Sequence, residues 1–172
     1  MLEIDEPDRP SPPSSGPERV QLESRLDFFR ATLLAKCAHL GVEQLSSHPI
    51  APSGLTLLGL LRHMTFVEQF WFETIFAGHV VDDYYKSDDD RDADFHDLTS
   101  ASLAEVVTLF NTTCAASRTG APGHDLDEMA QVAWRGRHVD LRWIYLHMIE
   151  EYARHCGHAD LLREMIDGAT GY

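Results

Sequence analysis

The sequence predicts an all-α protein built as a four-helix bundle. Apolar residues recur with helical spacing in four segments, at about residues 18–40, 55–77, 102–118 and 139–166. Few stretches alternate apolar and polar residues in the way that a half-buried strand does. Glycines follow the segments, as they often do where helices end. Helices without a sheet must bury their apolar faces against one another, which favours a bundle.

The first helix is predicted from a single apolar stripe. Its apolar residues recur at steps of three, four and seven: Leu22, Leu26, Phe29, Leu33 and Leu40. This spacing places the side chains on one helical face, and Gly41 is expected to stop the helix. The second helix is expected to start after an N-cap at Ser53 and to end at Gly78.

The third and fourth helices have similar end signals. Thr99 or Ser100 is the predicted N-cap of the third helix, and Gly120 marks its end. The fourth helix is expected to end before Gly168. Residues 78–98, between the second and third helices, are more than a tight antiparallel turn needs. A link of that length can cross the bundle, as some four-helix bundles require.

The chain is expected to divide into a tail and one domain. Residues 7–17 read PDRPSPPSSGP, with no aliphatic or aromatic side chain among them. Such a segment buries too little surface to offset its ordering entropy, so residues 1–17 are predicted to be a flexible tail. Residues 18–172 then form one domain of ordinary size. No signal peptide is expected, and no apolar run reaches the about 18 residues of a membrane span.

The excess of acidic over basic residues limits the kinds of molecule that the protein is expected to bind. The chain has 28 acidic and 14 basic residues, a formal net charge of −14. Such a surface repels phosphate backbones and disfavours nucleic acid as a partner. One acidic cluster could suggest a calcium loop, but it lacks the glycine and the final glutamate of an EF-hand. It is therefore interpreted as a solvated loop: Asp82, Asp83, Asp88, Asp89 and Asp90.

The cysteines favour a reducing compartment. Cys37, Cys114 and Cys156 are odd in number, far apart in sequence and form no CxxC pair. A disulfide framework is therefore not expected, and a cytoplasmic location fits better. All three are predicted to be small buried hydrophobic residues, with Cys156 beside the apolar stripe of the last helix and not in it.

Polar residues interrupt the apolar stripe of the last helix. Steps of three and four residues give one row: Leu141, Ile144, Met148, Glu151, His155, His158 and Leu162. A buried glutamate without a partner is costly, and two nearby histidines relieve that cost only if a cation lies among them. Glu151 and His155 are four residues apart and project from one helical face. The alternative is a surface pair, if the buried face is rotated from this row.

The second helix supplies a matching interruption, since its stripe contains Leu60, His63, Val67 and Phe70. Bundles build metal sites from side chains on facing helices. Two imidazoles and a carboxylate suit Zn²⁺ with an open position, and also Fe²⁺. The pattern predicts one divalent ion, Zn²⁺ with Ni²⁺ or Fe²⁺ as alternatives, held by His63, Glu151 and His155. A satisfied core histidine is the alternative for His63 taken alone.

Three further residues near this row are candidates for contacts that support the metal ligands from outside or that bind a substrate. His147 and His158 lie about one turn from the predicted ligands on the same helix, and Arg154 could bind an anionic substrate. The alternatives are a partly buried histidine and an ordinary surface arginine. Nearby aromatic residues are expected to belong to the core: Phe70, Trp71, Trp143 and Tyr145.

Parts of the sequence resemble a known family. The stretches LLGLLRH at 57–63 and VEQFWF at 67–72 resemble the second helix of actinobacterial DinB-like proteins of the DUF664 group. The stretch LRWIYLHMIEEYARHCGHADLLREMIDGATG at 141–171 is similar to that group's signature nearly throughout. The similarity covers residues 18–171 and leaves the N-terminal tail outside.

The resemblance implies a fold and a metal site. Its superfamily, with mycothiol-dependent maleylpyruvate isomerase and the bacillithiol transferases, has four helices in up-down-down-up order. The family's metal triad has one histidine on the second helix and a pair four residues apart on the last, where the isomerase branch begins with glutamate. His63, Glu151 and His155 match those positions. The isomerase also has an additional C-terminal domain, so its own substrate is not carried over.

The resemblance and the polar row together predict a metal-dependent transferase or isomerase. It would use a low-molecular-weight thiol of the mycothiol type and an electrophilic small molecule, in the cytoplasm, as a homodimer. Three alternatives stay open at this point. They are a non-catalytic metal- or thiol-binding stress-response protein, a metal-dependent hydrolase, and a helical interaction module whose polar residues pair only with each other.

Overall fold

A computed structural model of the chain describes residues 4–81, 84–85, 89–98 and 102–171. The described residues form five α-helices: α1 Glu18–Cys37, α2 Val42–Leu45, α3 Leu57–Glu68, α4 Leu103–Gly120 and α5 Leu141–Asp167. They contain no strand, only isolated bridges between Met129 and Asp140 and between Trp134 and Arg137. The all-α prediction is therefore confirmed.

Four long helices build the core, and α3 lies among the others. Helix α1 packs mainly against α5, and α3 packs mainly against α4 while it also contacts α1 and α5. Nearly every residue of α3 is buried, because neighbouring helices cover it on most sides. The up-down-down-up order of the helices stays a prediction. No described helix is long and apolar enough to cross a bilayer.

Helix α3 starts later than predicted and continues as a wider helix. The side chain of Thr56 accepts a hydrogen bond of 2.9 Å from the backbone of Gly59 and caps the helix. Ser53, the predicted cap, instead accepts from the backbone of Leu55 in the preceding turn, so that prediction is wrong. After Glu68 the backbone becomes a π-helix, Gln69–Phe76, a rare conformation that helical periodicity does not reveal.

The other helix ends follow ordinary capping chemistry. Ser102 caps α4, whereas the predicted caps Thr99 and Ser100 lie outside the described residues. The side chain of Asp140 caps α5 by accepting a hydrogen bond of 2.7 Å from the backbone amide of Trp143. Gly168 ends α5 at a φ of +80°, the left-handed conformation that glycine adopts most easily.

The end of α1 differs from the prediction. The helix stops at Cys37, and His39 turns the chain with a φ of 61°. Gly41 is extended, with a φ of −73°, and precedes the short helix α2 instead of ending α1. The backbone amide of His39 donates a hydrogen bond of 3.0 Å to the carbonyl of Ile4.

The N-terminal residues make a contact with the bundle. Ile4 is only 6% exposed and packs in the main apolar cluster, while residues 4–17 form no helix. The division into a tail at 1–17 and a domain at 18–172 stays a prediction. Of the acidic cluster interpreted as a solvated loop, Asp82, Asp83 and Asp88 lie outside the described residues.

Buried polar side chains join all four long helices. The fully buried carboxylate of Glu68, on α3, accepts two hydrogen bonds of 2.7 Å from Arg30 of α1. Ser117 of α4 and Tyr152 of α5 each donate a further bond of 2.8 Å. Burial raises the pKa of Tyr152, so its phenol keeps the proton that it donates. We call these four residues the core network.

Candidate metal centre

His63 lies on the least buried stripe of α3. Most residues of this helix are covered on all sides, but His63 and Phe66 are half-buried and lie three residues apart, and Phe70 of the following π-helix continues the stripe. The side chain of His63 retains 19% of its exposure. A ring nitrogen in this position can reach an ion near the surface, while the buried residues of α3 hold the helix backbone in place.

Glu151 and His155 lie along one edge of the buried face of α5. Their side chains are 16% and 12% exposed, respectively. The fully buried row of the helix runs beside them: Leu141, Ile144, Tyr145, Met148, Tyr152, Cys156, Ala159 and Leu162. The prediction that Cys156 lies outside the apolar stripe is therefore wrong.

The difference between the predicted and observed rows has a geometric cause. Alternating steps of three and four average 3.5 residues per turn, whereas a straight α-helix has 3.6. The predicted row therefore drifts by about 20° per heptad toward the edge of the buried face, although its last residue, Leu162, is still buried. The start of the row is buried as predicted, but Glu151, His155 and His158 lie at its edge and stay partly exposed.

The structure brings the three predicted ligands together. His63, Glu151 and His155 each offer one ligand atom, and these atoms lie within 4.8 Å of one another. The ring centroids of His63 and His155 are 4.8 Å apart, and Nε2 of His155 is 3.5 Å from Oε2 of Glu151. Zinc bonds of about 2.0–2.2 Å separate tetrahedral ligand atoms by about 3.3 Å. Small side-chain rotations would bring the cluster to that spacing, so its donors fit a divalent ion.

In both histidines the Nδ1 atom already has a protein partner. Nδ1 of His63 is 2.7 Å from Oδ2 of Asp94. Nδ1 of His155 is 3.3 Å from Nδ1 of His158. The Nε2 atoms are therefore the ring nitrogens left for an ion, and outer partners of this kind commonly orient metal-binding histidines.

Asp94 is the residue of this site that sequence reasoning missed. It lies in a short 3₁₀ turn, Ala93–Phe95, within the long link between α3 and α4. Its neighbours Asp92 and Asp97 are exposed, whereas Asp94 is buried. The sequence shows only one acid among several, with no spacing that relates it to His63, so no signal distinguished it.

The surroundings of Glu151 keep its carboxylate charged. The imidazole of His155, 3.5 Å away, is the main cause, and the nearby Arg154 adds to it, so the pKa of Glu151 falls to about 2 although burial opposes the shift. Nη1 of Arg154 is 2.9 Å from Oε1 of Glu151. Nε2 of His147 lies 3.7 Å from the same oxygen. Glu151 is thus an anionic donor at neutral pH, as a metal ligand must be.

The three further candidate residues each contact a member of the cluster. His158 contacts His155, while His147 and Arg154 contact Glu151. Burial lowers the pKa of His147 and of His158, which favours the neutral imidazole in both. Their roles toward an ion or a substrate stay predictions.

An aromatic cluster supports His147. Its ring stacks on Trp143 at 4.8 Å between centroids and meets Trp71 edge-on at 4.6 Å. Trp134, from the link between α4 and α5, packs on both indoles at 5.2 and 5.8 Å. Trp71 is buried and Trp143 half-buried against the core, in agreement with their prediction as core residues.

Fold and site together define a helical bundle with a histidine–glutamate–histidine cluster between two of its helices. The family model of mycothiol S-transferase matches residues 21–168. The chain therefore belongs to the mycothiol S-transferase family, and its resemblance to DinB-like proteins is confirmed. A search of curated proteins finds no match to the chain.

Proposed function

We propose that this protein is a metal-dependent thiol S-transferase that joins mycothiol, or a similar small thiol, to an electrophile. The observation that carries the proposal is the convergence of His63, Glu151 and His155, with ligand atoms within 4.8 Å, in a chain of the mycothiol S-transferase family. The family supports the thiol, and the cluster supports the metal. Isomerisation through a thiol adduct would use the same centre.

The donor set favours Zn²⁺ as the ion. Two imidazoles and one carboxylate are a common set for catalytic zinc, which keeps a fourth position open. Ni²⁺ and Fe²⁺ accept the same donors, and affinity alone does not select among them. The proposal is therefore a divalent ion with Zn²⁺ as the first choice. His63 and His155 would bind through Nε2, and Glu151 through a carboxylate oxygen.

An ion held by His63, Glu151 and His155 would lower the pKa of a thiol bound to it, so that the thiol would react as a thiolate at neutral pH. In the transfer, the sulfur lone pair forms the new S–C bond and the leaving group departs with its bonding electrons. The thiol proton passes to solvent. Glu151 offsets one of the two positive charges of the site, because its carboxylate is ionised at neutral pH.

The nucleophile is proposed to be an external thiol and not a cysteine of the chain. Cys37, Cys114 and Cys156 are all buried. Burial raises the pKa of each thiol to about 12, so each is protonated at neutral pH. A protonated, inaccessible thiol attacks electrophiles poorly, which leaves the reaction to the cosubstrate.

Outer residues would hold the ligands in place. His158 would accept a hydrogen bond from Nδ1 of His155 and keep the lone pair of Nε2 directed at the ion. Arg154 would hold the Glu151 carboxylate from the solvent side, because its side chain is 58% exposed. The same exposed guanidinium can pair with an anionic group on a substrate.

Thiol transfer with and without chelator tests the proposal. Purified protein is given mycothiol and an electrophile whose conjugate absorbs light, before and after treatment with a chelator. We expect chelation to abolish the enzyme-catalysed rate and added Zn²⁺ to restore it. An unchanged rate after chelation contradicts metal dependence. Binding of metal and thiol without turnover would instead identify a non-catalytic binding protein.

Two coarser properties stay predictions. A homodimer is expected, and light scattering at micromolar concentration would contradict it by finding only a species of 19.4 kDa. A cytoplasmic location is expected from the three free cysteines, none of which is paired in a disulfide. Fractionation of cells that produce the protein tests the location directly.

A further inference from the structure

The 3₁₀ turn Ala93–Phe95 docks on one face of α3, and we call it the docked turn. The ring of Phe95 lies directly over Gly59, where a Cβ atom would come within 2.3 Å of its Cδ1. Glycine at this position therefore lets the turn approach the helix closely. The contact is tight enough that any larger residue would displace Phe95 or the helix.

Arg62 fixes the backbone of the docked turn. Its guanidinium donates hydrogen bonds of 2.9 Å to the carbonyl of Ala93 and 3.0 Å to the carbonyl of His96. These two carbonyls lie before and after Asp94 in the chain, so the hydrogen bonds fix the position of the Asp94 backbone from which its side chain extends. Gly59, Arg62 and His63 lie within little more than one helical turn, and all three contact the docked turn or its neighbours.

Asp94 is thereby aimed at His63. Its side chain is only 1% exposed, and Oδ2 lies 2.7 Å from Nδ1 of His63. A carboxylate at this distance accepts a hydrogen bond from Nδ1–H, which places the lone pair of the ring on Nε2. The contact also restrains rotation of the His63 ring about χ1 and χ2. Asp94 can do this because the close packing of Phe95 on Gly59 and the hydrogen bonds from Arg62 hold the docked turn on α3.

We propose that Asp94 is a positioning residue that prepares His63 for metal before any ion arrives. This inference rests on the proposed metal centre and adds to it a contribution from the link between α3 and α4. Loss of such an outer partner typically weakens metal affinity by about 10–100-fold. The docked turn is then part of the centre and not merely a connection between helices.

The same link supplies a matched control pair. Asp90 and His96 make an equivalent contact, with a carboxylate oxygen 2.8 Å from Nδ1, but their side chains are 40% and 59% exposed. Neither belongs to the ligand cluster. Asp90→Asn therefore makes the same chemical change as Asp94→Asn in the same segment, at a carboxylate whose histidine partner is not one of the three proposed ligands.

Zn²⁺ affinity tests the inference. Wild-type protein, Asp94→Asn and Asp90→Asn are titrated against a competing zinc indicator. We expect affinity to fall by about 10–100-fold in Asp94→Asn and to remain unchanged in Asp90→Asn. Wild-type affinity in Asp94→Asn overturns the role of Asp94 alone, whereas a wild-type protein that binds no zinc overturns the metal centre itself.

A second measurement uses the metal-free wild-type protein and does not depend on the folding of any variant. Long-range ¹H–¹⁵N correlation spectra report which ring nitrogen of each histidine carries the proton. We expect His63 to be the Nδ1–H tautomer, with a strongly downfield proton in a hydrogen bond with Asp94. An Nε2–H tautomer of His63 would overturn the proposal.

Discussion

Two glutamates in the bundle have opposite surroundings. The carboxylate of Glu68, in the core network, is fully buried and accepts four hydrogen bonds of 2.7–2.8 Å from three neighbouring helices. Glu151, in the metal cluster, is 16% exposed, and its partner at hydrogen-bonding distance, Arg154, extends into solvent. The histidines beside Glu151 stand 3.5 and 3.7 Å from its oxygens.

The contrast separates a structural acid from the acid that we propose as a metal ligand. Protein donors fill the hydrogen-bonding capacity of Glu68, so it can only hold helices together. Glu151 keeps its charge but is held loosely, on the same side of the bundle as the Nε2 atoms of two histidines. A carboxylate in that state can exchange its present contacts for an ion at little cost.

Breaking the core network should have the largest effect on stability. Glu68→Ala leaves Arg30 buried without its main partner, and loss of one member of a buried ion pair costs about 3–5 kcal/mol. Denaturant unfolding followed by circular dichroism measures this loss. Ser117→Ala, which removes a single donor, is the matched control and should cost about 1 kcal/mol. Equal losses in the two variants would show that Glu68 does not organise the network.

Glu151→Gln should show the reverse pattern. The change keeps the shape of the side chain but removes its charge, so metal affinity should fall by more than about 100-fold, beyond the usual effect of an outer partner. The free energy of unfolding of the metal-free protein should fall by less than the about 3–5 kcal/mol expected for Glu68→Ala, since the contacts of Glu151 are partly solvated. Zinc titration and denaturant unfolding measure the two quantities. A large loss of stability with metal affinity intact would make Glu151 a second structural acid.

The sequence predicted the helices and the three clustered residues because both depend on local spacing. Apolar periodicity located the long helices, and His63, Glu151 and His155 were found because they interrupt apolar rows. The boundaries were less accurate, since Thr56 and not Ser53 satisfies the first amides of α3.

Long-range contacts could not be predicted in this way. Asp94 meets His63 only because a turn in a long link docks on α3, and no sequence interval encodes that approach. Glu68 likewise depends on donors from three other helices. The π-helix after Glu68 also lies outside the 3.6-residue period on which the predictions relied.

Cys156 should show the smallest effect, because it belongs to neither polar site. Cys156→Ser should leave thiol transfer unchanged. Burial raises the pKa of the Cys156 thiol from about 9 to about 12, so folded protein holds about a thousandfold less thiolate there at pH 8. Reaction with a disulfide reagent at pH 8 should be slow when folded and fast in denaturant.

The sign of the pH effect follows from the same shift. Unfolded chains release the thiol proton near pH 9 and folded chains near 12, so the contribution of Cys156 to stability is present below pH 9. It is lost as the pH rises from 9 to 12, and Cys156→Ser should reduce that loss. Rapid thiol modification of the folded protein, or loss of transfer activity in Cys156→Ser with metal still bound, would contradict the external-thiol mechanism.

Metal content tests the central claim most directly. Wild-type protein, His155→Ala and His79→Ala are purified without added metal and measured by elemental analysis. His79 is exposed and lies outside the ligand cluster, so its removal controls for the loss of a histidine. The metal centre predicts one divalent ion per chain in wild-type protein and in His79→Ala, and far less than one in His155→Ala. Wild-type stoichiometry in His155→Ala would contradict the assignment.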